Sequence, residues 1–407
     1  MNEYNQHILS NGLRIIHEPL RSNVVYCGYI VAAGTRDEDE GDSGMAHFCE
    51  HMSFKGTERR RAWHIRNRLE RVGGDLNAFT NKEMTVYYAT VQREDYARAV
   101  DLLSDIVFHS VYPQEEIDKE VEVIIDEIDS YNDSPAELIY DDFEEMLFTG
   151  HGLGRNILGK ADRLREYKTA DALRFTHKYY VPNNVTFFVL GQVDFARTVR
   201  LLERHTALLT AREVSKDKQT LPPYRADTLN SERDTHQAHV LLGNRGYSMV
   251  HEDRTALFLL NNILGGPGMN SLLNVSLREK RGLVYNVESN TFNYQDTGVW
   301  SVYFGCEESK VKQCQRLVVH ELEGLCNNPL SERTLNMAKK QLVGQILIAG
   351  NNFESYALAL GKTFALTGKH RDVEQICEHI MAISAHDIMR VAQDVFNPAK
   401  LTTLIYR

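Results

Sequence analysis

Apolar and polar residues alternate along the first part of the chain in a way that predicts paired strands. Residues 7–9 and 13–17 flank Asn11-Gly12, a pair that favours a tight hairpin turn with positive φ. The apolar run 24–33 predicts a buried strand. Residues 75–80 and 84–91 then predict a second strand pair, because both runs are rich in β-branched and aromatic side chains.

Between and after these strands, apolar residues recur at the spacing of amphipathic helices. We expect a helix after Asp42 or Ser43, either of which can cap its first turn, and this helix should end near Gly56. Further helices are predicted at 61–72, 96–109 and 113–131, the last of which is broken by residues 132–135 before the next helix begins.

The second half of the chain repeats this order of elements. A strand, a helix, a strand pair and a helix are predicted in turn, at 239–242, 255–263, 283–293 with 298–306, and 311–325. In both halves, a proline and a long helix follow the strand pair. The two halves share this pattern but not their residues, which is typical of a duplicated domain.

We therefore expect an α+β fold with two homologous domains, at residues 1–215 and 226–407. Each should be a mainly antiparallel β-sheet packed with α-helices against one face. The segment 216–225 is the best linker candidate, since it carries charge and two prolines without apolar periodicity.

Composition narrows the classes of protein. A chain of 407 residues exceeds one ordinary core, and 43% hydrophobic with 25% charged residues is typical of a globular protein. The net charge of −10 disfavours nucleic acid as a partner. No apolar run approaches the roughly 20 residues that span a bilayer, and the first residues lack a signal pattern. Six cysteines without CxxC spacing favour a reducing compartment. We expect a cytoplasmic protein without a membrane partner.

The sequence HFCEH contains His47, Glu50 and His51 within one predicted helix. Histidines four positions apart lie on the same helix face and can bind one cation, while the glutamate is close enough to accept a proton from an activated water. The order HxxEH reverses the thermolysin-type HExxH and is the inverzincin signature. The alternative is a helix with two surface histidines, and a third ligand would decide between them.

Glu120 and Glu127 provide candidates for that third ligand. They lie seven positions apart, which is two helical turns, so both occupy one face of the helix predicted at 113–131. Two histidines and a carboxylate would leave one coordination position open, and this open position separates a catalytic zinc site from a structural one.

With these residues, the chain resembles the pitrilysin or insulinase family of zinc peptidases, over essentially its whole length. The half-length members are most similar, and they include bacterial and mitochondrial processing peptidases. In that family the third ligand is the second glutamate of an E-x6-E pair, which matches Glu127, 76 positions after His51 (127 − 51). The resemblance implies one Zn²⁺ per chain held by His47, His51 and Glu127, with Glu50 as general base and Glu120 orienting a ligand.

Other segments carry the same resemblance. The sequence Leu76-Asn77-Ala78-Phe79-Thr80 resembles the family's LNAxT edge strand, which implies that residues 77–79 bind a peptide substrate as an added strand. The loop HGLGRNILG at 151–159 resembles the family's HPLGRPILG, with its two prolines replaced by Gly152 and Asn156.

In the second half, REKRGLVY at 278–285 resembles the family's RxKxGLxY element. The resemblance implies that Arg278 and Tyr285 contact the substrate near the scissile bond. A guanidinium and a phenol are both suitable hydrogen-bond donors to a carbonyl oxygen that becomes an oxyanion.

The expected function is a zinc metalloendopeptidase that hydrolyses short or unfolded peptides inside a chamber formed by paired subunits, with a homodimer as the expected assembly. The alternative is a non-catalytic scaffold or the partner subunit of a heterodimeric processing peptidase. Such members tend to have lost part of HxxEH or of the Arg/Tyr pair, and this chain retains both. Residues 115–145 contain fourteen acidic residues and one basic residue. They suit either a chamber that prefers basic peptides or a solvated acidic face.

Overall fold

The computed structural model describes residues 4–216, 219–233 and 235–407. The chain divides into two compact units. The first takes the chain up to Asp129, then Arg155–Thr220 and Ala349–Asp372, and the second takes Ser130–Gly154, Leu221–Ile348 and Val373–Arg407. The division expected at 216–225 would place residues 130–154 in the first domain and 349–372 in the second, whereas each of these segments belongs to the other unit. Residues 217 and 218 of the expected linker lie outside the described residues.

The first unit contains a six-stranded sheet with the order β1-β2-β6-β3-β5-β4. Its neighbours are antiparallel except for the parallel pair β2–β6. The predicted hairpin is confirmed, and Gly12 adopts the positive φ of +89° that its turn requires. The strands are β1 Asn5–Ile8, β2 Arg14–Glu18, β3 Val24–Val31, β4 Asp75–Thr80, β5 Thr85–Gln92 and β6 Val185–Leu190.

The second unit contains a five-stranded sheet with the order β7-β11-β8-β10-β9. Here the pair β7–β11 is parallel and the other neighbours are antiparallel. Two sheets packed with helices confirm the expected α+β class, and both sheets are mixed. The strands are β7 Thr228–Ser231, β8 Ala238–Gly246, β9 Val284–Asn293, β10 Gly298–Cys306 and β11 Thr402–Tyr406.

The helices of the first half lie close to their predicted positions. They are α1 Met45–Met52, α2 Ala62–Glu70, α3 Tyr96–Phe108, α4 Gln114–Asn132, α5 Pro135–Leu147, α6 Ala161–Leu164, α7 Thr169–Tyr179 and α8 Phe195–Thr206. The remaining helices are α9 Arg254–Gly265, α10 Val311–Asn327, α11 Glu332–Ala349, α12 Phe353–Thr367, α13 Val373–Ala382 and α14 Ala385–Val395. A π-helical segment, Asn274–Glu279, precedes β9.

Helices cover both faces of each sheet, so the expectation of helices on one face was wrong. In the first unit, α1, α3 and α4 pack on one face, and α12 packs on the other against Ile30 and Phe188. In the second unit, α5 packs against β8 and β11. The physical reason is that the central strands are apolar on both sides: every residue of β6 and of β10 is buried. A sheet of this kind requires cover on both faces.

The cysteines and the longest apolar helices bear on the expected reducing compartment and on the expected lack of a membrane span. All six cysteines are free thiols, and five of them are buried. Among residues 4–216, 219–233 and 235–407, no helix is both long enough and apolar enough to cross a bilayer.

Candidate metal centre

The helix α1 begins at a glycine rather than at the expected Asp42 or Ser43. Gly44 has a φ of +78°, and a β-carbon there would lie 2.6 Å from the carbonyl oxygen of Leu158, so only glycine fits this close approach. The carboxylate that caps the helix comes from Glu38, which accepts hydrogen bonds from the N–H groups of Gly44 and Ala46 at 3.1 and 3.0 Å. Asp42 instead pairs with Arg174 at 2.7 Å. Helix capping therefore comes from a preceding loop.

Glu38 is buried, and its environment is unusual for a carboxylate. Burial raises its pKa to about 8, although the two N–H groups of α1 and the charge of Arg155 act in the opposite direction. The start of the helix that carries HxxEH therefore rests on a group whose charge state changes near neutral pH.

The structure brings His47, His51 and Glu127 together. One candidate ligand atom from each lies within 4.8 Å of the others. The Oε2 atom of Glu127 lies 3.9 Å from Nε2 of His47 and 3.5 Å from Nε2 of His51. The two histidines come from one face of α1 and the glutamate from α4, which packs on the same side of the sheet. The predicted third ligand therefore meets the motif.

His47 is held as a neutral imidazole. Burial, and then the charge of His51, lower its pKa to about 3. Its Nδ1 atom is buried and has no hydrogen-bond partner among the described residues, while Nε2 faces Glu127. A neutral imidazole whose Nε2 is directed into a cluster of possible ligands is suited to binding a cation.

His51 is oriented by a second carboxylate. Its Nδ1 lies 3.1 Å from Oε1 of Glu120, and the other oxygen of Glu120 pairs with Lys55. Burial by itself would lower the pKa of His51, but the hydrogen bond to Glu120 and the charges of the surrounding glutamates raise it. When Nδ1 donates to Glu120, the lone pair of Nε2 is directed toward Glu127. Glu120 therefore acts through His51.

Glu50 lies beside this group and is buried. It is 8% exposed and accepts a hydrogen bond from Oγ1 of Thr80 at 2.8 Å. Burial raises its pKa, while the hydrogen bond from Thr80 and the charge of His51 oppose that rise. The hydrogen bond ties the glutamate to the last residue of β4, so the carboxylate is fixed between the helix and the strand.

The strand β4 lies at one edge of the sheet. Within the described part of the chain it pairs only with β5, so one side of its backbone is available for a further strand. Asn77 and Phe79 are paired with Tyr88 and Val86, and Phe79 belongs to the face covered by α12. Ala78 belongs to the opposite face, which α1 covers.

The three side chains fit a zinc ion. Two nitrogens and one oxygen are the donors found at catalytic zinc sites, and two ligands at about 2.0–2.1 Å from a tetrahedral centre lie about 3.3 Å apart. The separations of 3.5 and 3.9 Å between Glu127 and the imidazoles are close to that value and longer than a direct hydrogen bond.

Arg278 and Tyr285 belong to the second unit. Arg278 lies in the π-helical segment, with 46% of its side chain exposed and Glu279 at 4.0 Å. Tyr285 follows the first residue of β9 and is 88% exposed. The structure thus presents both donors at the surface of their unit, and their role toward a substrate stays a prediction.

Two carboxylates of the acidic segment 115–145 have partners within the second unit. On α5, Asp142 accepts a hydrogen bond from Tyr406 at 2.5 Å and pairs with Arg233 at 3.4 Å, and Glu144 accepts one from Tyr294 at 2.6 Å. These carboxylates stabilise the packing of α5 inside the second unit.

Sequence reasoning did not assign a role to Glu38, Lys55 or Thr80. Lys55 follows His51 by four positions, which would place it beside His51 in a helix that continued to Gly56. In the structure α1 ends at Met52, and Lys55 reaches Glu120 from the turn that follows. Thr80 is the last residue of the segment that resembles LNAxT, but its position in the sequence does not predict a contact with Glu50. Glu38 carries no sequence signal that we can name, because its contact with α1 depends on the path of the intervening loop.

An HxxEH helix whose two imidazoles meet a distant glutamate defines the class of inverzincin-type metal centres. Comparison with known proteins is more specific. Residues 15–161 match the domain described as insulinase (peptidase family M16), and residues 168–342 match the peptidase M16 inactive domain.

Similar proteins of the same length are known. The uncharacterised zinc protease YmxG of Bacillus subtilis is 31% identical over 97% of this chain and 96% of its own length. An uncharacterised zinc protease of Rickettsia bellii is 32% identical over 99% and 97%. The chain therefore belongs to the insulinase family of peptidases (M16), as a member of the half-length type.

Solved structures agree in fold. A protease from Helicobacter pylori superposes with a TM-score of 0.94, covering all of both chains at 23% identity. A peptidase M16 inactive domain from Pseudomonas fluorescens gives a TM-score of 0.92 at 18% identity, covering 99% of this chain and 98% of its own.

Proposed function

We propose that the protein is a zinc-dependent metalloendopeptidase that hydrolyses short or unfolded peptides. The observation that supports this most strongly is the meeting of His47, His51 and Glu127 within 4.8 Å, beside the buried carboxylate of Glu50. The two histidines and Glu127 would hold one zinc ion per chain. The names of the zinc protease relatives agree with this assignment.

When bound, a zinc ion lowers the pKa of a water molecule and polarises a carbonyl group. Glu50 is the general base that takes a proton from the attacking water and passes it to the leaving amine. Its raised pKa is suited to that exchange, because a base with a pKa nearer neutrality both accepts and returns a proton readily. Thr80 fixes the carboxylate, and Glu120 with Lys55 fixes the imidazole of His51.

The substrate binds in an extended conformation along the free edge of β4. Its backbone hydrogen-bonds to Asn77, Ala78 and Phe79, which gives affinity without reading side chains. Arg278 and Tyr285 donate hydrogen bonds to the substrate and to the oxyanion. Two copies of the chain pair as a homodimer and enclose a chamber, as expected for half-length members of the family, and access to the chamber limits substrates to short or unfolded peptides.

The test combines zinc content with cleavage of quenched fluorescent peptides by the native protein and by Glu50→Gln. We expect about one zinc per chain in both proteins and loss of cleavage in the variant by roughly 10²–10⁴-fold. Tyr285→Phe should reduce cleavage while zinc is retained.

Equal cleavage by the native protein and Glu50→Gln would contradict the role of the general base. Stoichiometric zinc without cleavage of any peptide would favour the alternative, a non-catalytic partner subunit. The size of the assembly in solution, measured by light scattering, tests the homodimer separately.

A further inference from the structure

The face of the first sheet opposite the metal centre carries a cation at the substrate edge. Lys362 lies on α12, which covers this face. Its ammonium nitrogen lies 4.4 Å from the ring centroid of Phe79, on the edge strand β4. The side chain thus extends from the centre of the sheet toward the edge along which a peptide would add.

This cation has no acidic partner in the described part of the chain. No carboxylate oxygen lies within 4.0 Å of Lys362 there, and the glutamate two turns earlier on α12, Glu354, accepts a hydrogen bond from Tyr88 at 3.0 Å. Burial lowers the pKa of Lys362, and no neighbouring negative charge contributes. The ring of Phe79 offers a cation–π contact, which compensates only part of the desolvation of an ammonium group.

Strand geometry determines which part of a substrate would meet this cation. In an antiparallel pair, residues directly opposite each other share a face, with β-carbons about 4.5–5.5 Å apart. A peptide residue opposite Phe79 therefore projects toward α12. The adjacent peptide residues project to the other face, where Ala78 lies and where Thr80 contacts Glu50.

We propose that Lys362 and Phe79 form a substrate subsite that binds a carboxylate, supplied by an aspartate or glutamate side chain of the peptide that adds to β4. Lys362 is then a specificity-determining residue, because a carboxylate opposite Phe79 gains the counter-charge that the protein does not supply. The inference rests on the proposed function and on the direction of the added strand, and it concerns selection among peptides rather than the reaction itself.

A second source of a carboxylate is the free C-terminus of a short peptide. The two sources share the same chemistry but differ in position, because a C-terminal carboxylate reaches Lys362 only when the peptide ends opposite Phe79. Peptides of identical sequence with an acid or an amide at the C-terminus separate the two sources.

The experiment uses the full chain loaded with zinc and a set of quenched peptides of uncharged sequence. A single glutamate is moved through the peptide one position at a time, and each peptide is compared with its glutamine counterpart. We expect a KM about three- to tenfold lower for glutamate at one position, with kcat little changed. This preference should weaken at high salt, because screening reduces the attraction between the two charges.

Variants identify the residue responsible. Lys362→Met keeps an aliphatic side chain over Phe79 and should remove the preference, whereas Lys362→Arg should retain it and Lys362→Glu should transfer it to peptides with lysine at that position. Lys369→Met removes an exposed charge from the turn after α12 and is the matched control, which should leave the preference unchanged.

Cleavage of the uncharged peptide reports the proposed function, and the difference between glutamate and glutamine reports the subsite. Equal KM values at every position, or a preference that persists in Lys362→Met, would overturn the inference while leaving the peptidase intact. If no peptide is cleaved, fluorescence anisotropy of the same labelled peptides decides the question: glutamate-dependent binding lost in Lys362→Met supports the subsite, and its absence refutes it.

Discussion

The helix α1 of the first unit and the helix α9 of the second occupy corresponding places in the two folds. Each follows a central strand, β3 or β8, and each precedes the strand pair that ends at the edge of its sheet. Their buried polar residues differ. The helix α1 buries His47 and Glu50, whereas α9 buries the neutral amides Asn261 and Asn262.

The buried amide of Asn261 is satisfied within its own unit. Asn261 donates to the carbonyl oxygen of Ser289 at 2.8 Å and accepts from the hydroxyl of the same residue, which also accepts from the indole of Trp300 at 3.0 Å. In α1, by contrast, Nδ1 of His47 lacks a partner among the described residues, and Nε2 faces a carboxylate. The same arrangement of elements thus supports a closed hydrogen-bond network in one unit and a set of free ligand atoms in the other.

The long helices after the strand pairs show the same contrast. The helix α4 directs Glu120 and Glu127 toward α1. The helix α11 buries Lys339, whose ammonium donates to the carbonyl oxygen of Met381 at 2.8 Å near the end of α13. A buried lysine that caps a helix stabilises the unit but cannot bind a cation.

The largest expected effect comes from removing a metal ligand from the first unit, and its control removes the corresponding polar group from the second. His51→Ala should lose bound zinc and reduce cleavage by at least about 10³-fold, because the metal and its activated water are lost together. Asn261→Ala should keep zinc and lower the free energy of unfolding by about 1–3 kcal/mol, since it leaves Ser289 with an unsatisfied buried group. Zinc content and thermal unfolding measure both effects. Zinc retained by His51→Ala would show that the cluster is not the metal centre.

The next effect concerns the carboxylate behind His51. Glu120→Gln should weaken zinc affinity by about 10–100-fold, because the neutral amide oxygen of a glutamine is a weaker acceptor for His51 than the carboxylate and does not pair with the charge of Lys55. The measurement is competition with a chelator of known affinity. Glu122→Gln, on the same helix with 64% of its side chain exposed, is the control and should bind zinc like the native protein. Equal affinities for the two variants would remove the role of Glu120.

Local spacing made part of this site predictable from the sequence. HxxEH places its histidines on one helix face whatever surrounds the helix, and most strands and helices lie within a few residues of their predicted bounds. The pairing of Glu127 with that motif needed the family resemblance, because spacing along a second helix does not say where that helix packs.

The same patterns could not predict that α5 packs in the second unit and α12 in the first. The apolar faces of α5 and α12 would fit either sheet, and periodicity does not specify the partner. A signal was nevertheless present, since the continuous apolar runs in β3 and β6 indicate burial on both faces. Lys362 reaches Phe79 only because α12 lies on the first sheet, so the sequence patterns could not predict this contact either.

The cap of α1 gives a smaller effect that depends on pH. Glu38 has a pKa of about 8 in the folded protein against an ordinary value of 4.5, so between these values the folded state binds the proton and the unfolded state does not. Stability from this group is therefore greatest below about pH 4.5 and falls as the pH rises toward 8. Glu38→Gln should remove this dependence, so the free energy of unfolding of the variant should rise relative to that of the native protein between pH 5 and 8.5, by at most about 4 kcal/mol.

Urea unfolding at several pH values measures this change. Glu40→Gln changes an exposed glutamate in the same loop and should follow the native protein at every pH. A parallel pH dependence in Glu38→Gln and the native protein would contradict the raised pKa of Glu38.

The smallest expected effect compares the exchanged helices. The hydroxyl of Tyr88 on β5 donates to Glu354 on α12 at 3.0 Å, and that of Tyr140 on α5 donates to Glu288 on β9 at 2.6 Å. Each Tyr→Phe substitution removes a hydrogen bond to a charged group and should destabilise its unit by about 1–2 kcal/mol. Tyr140→Phe should have the larger effect, because its bond to Glu288 is shorter and its hydroxyl also accepts a hydrogen bond from Asn290 at 3.4 Å. The two pairs share no partner, so thermal unfolding of the double variant should show the sum of the single effects. If the double variant is as stable as the less stable of the two single variants, the two helices do not stabilise their sheets independently.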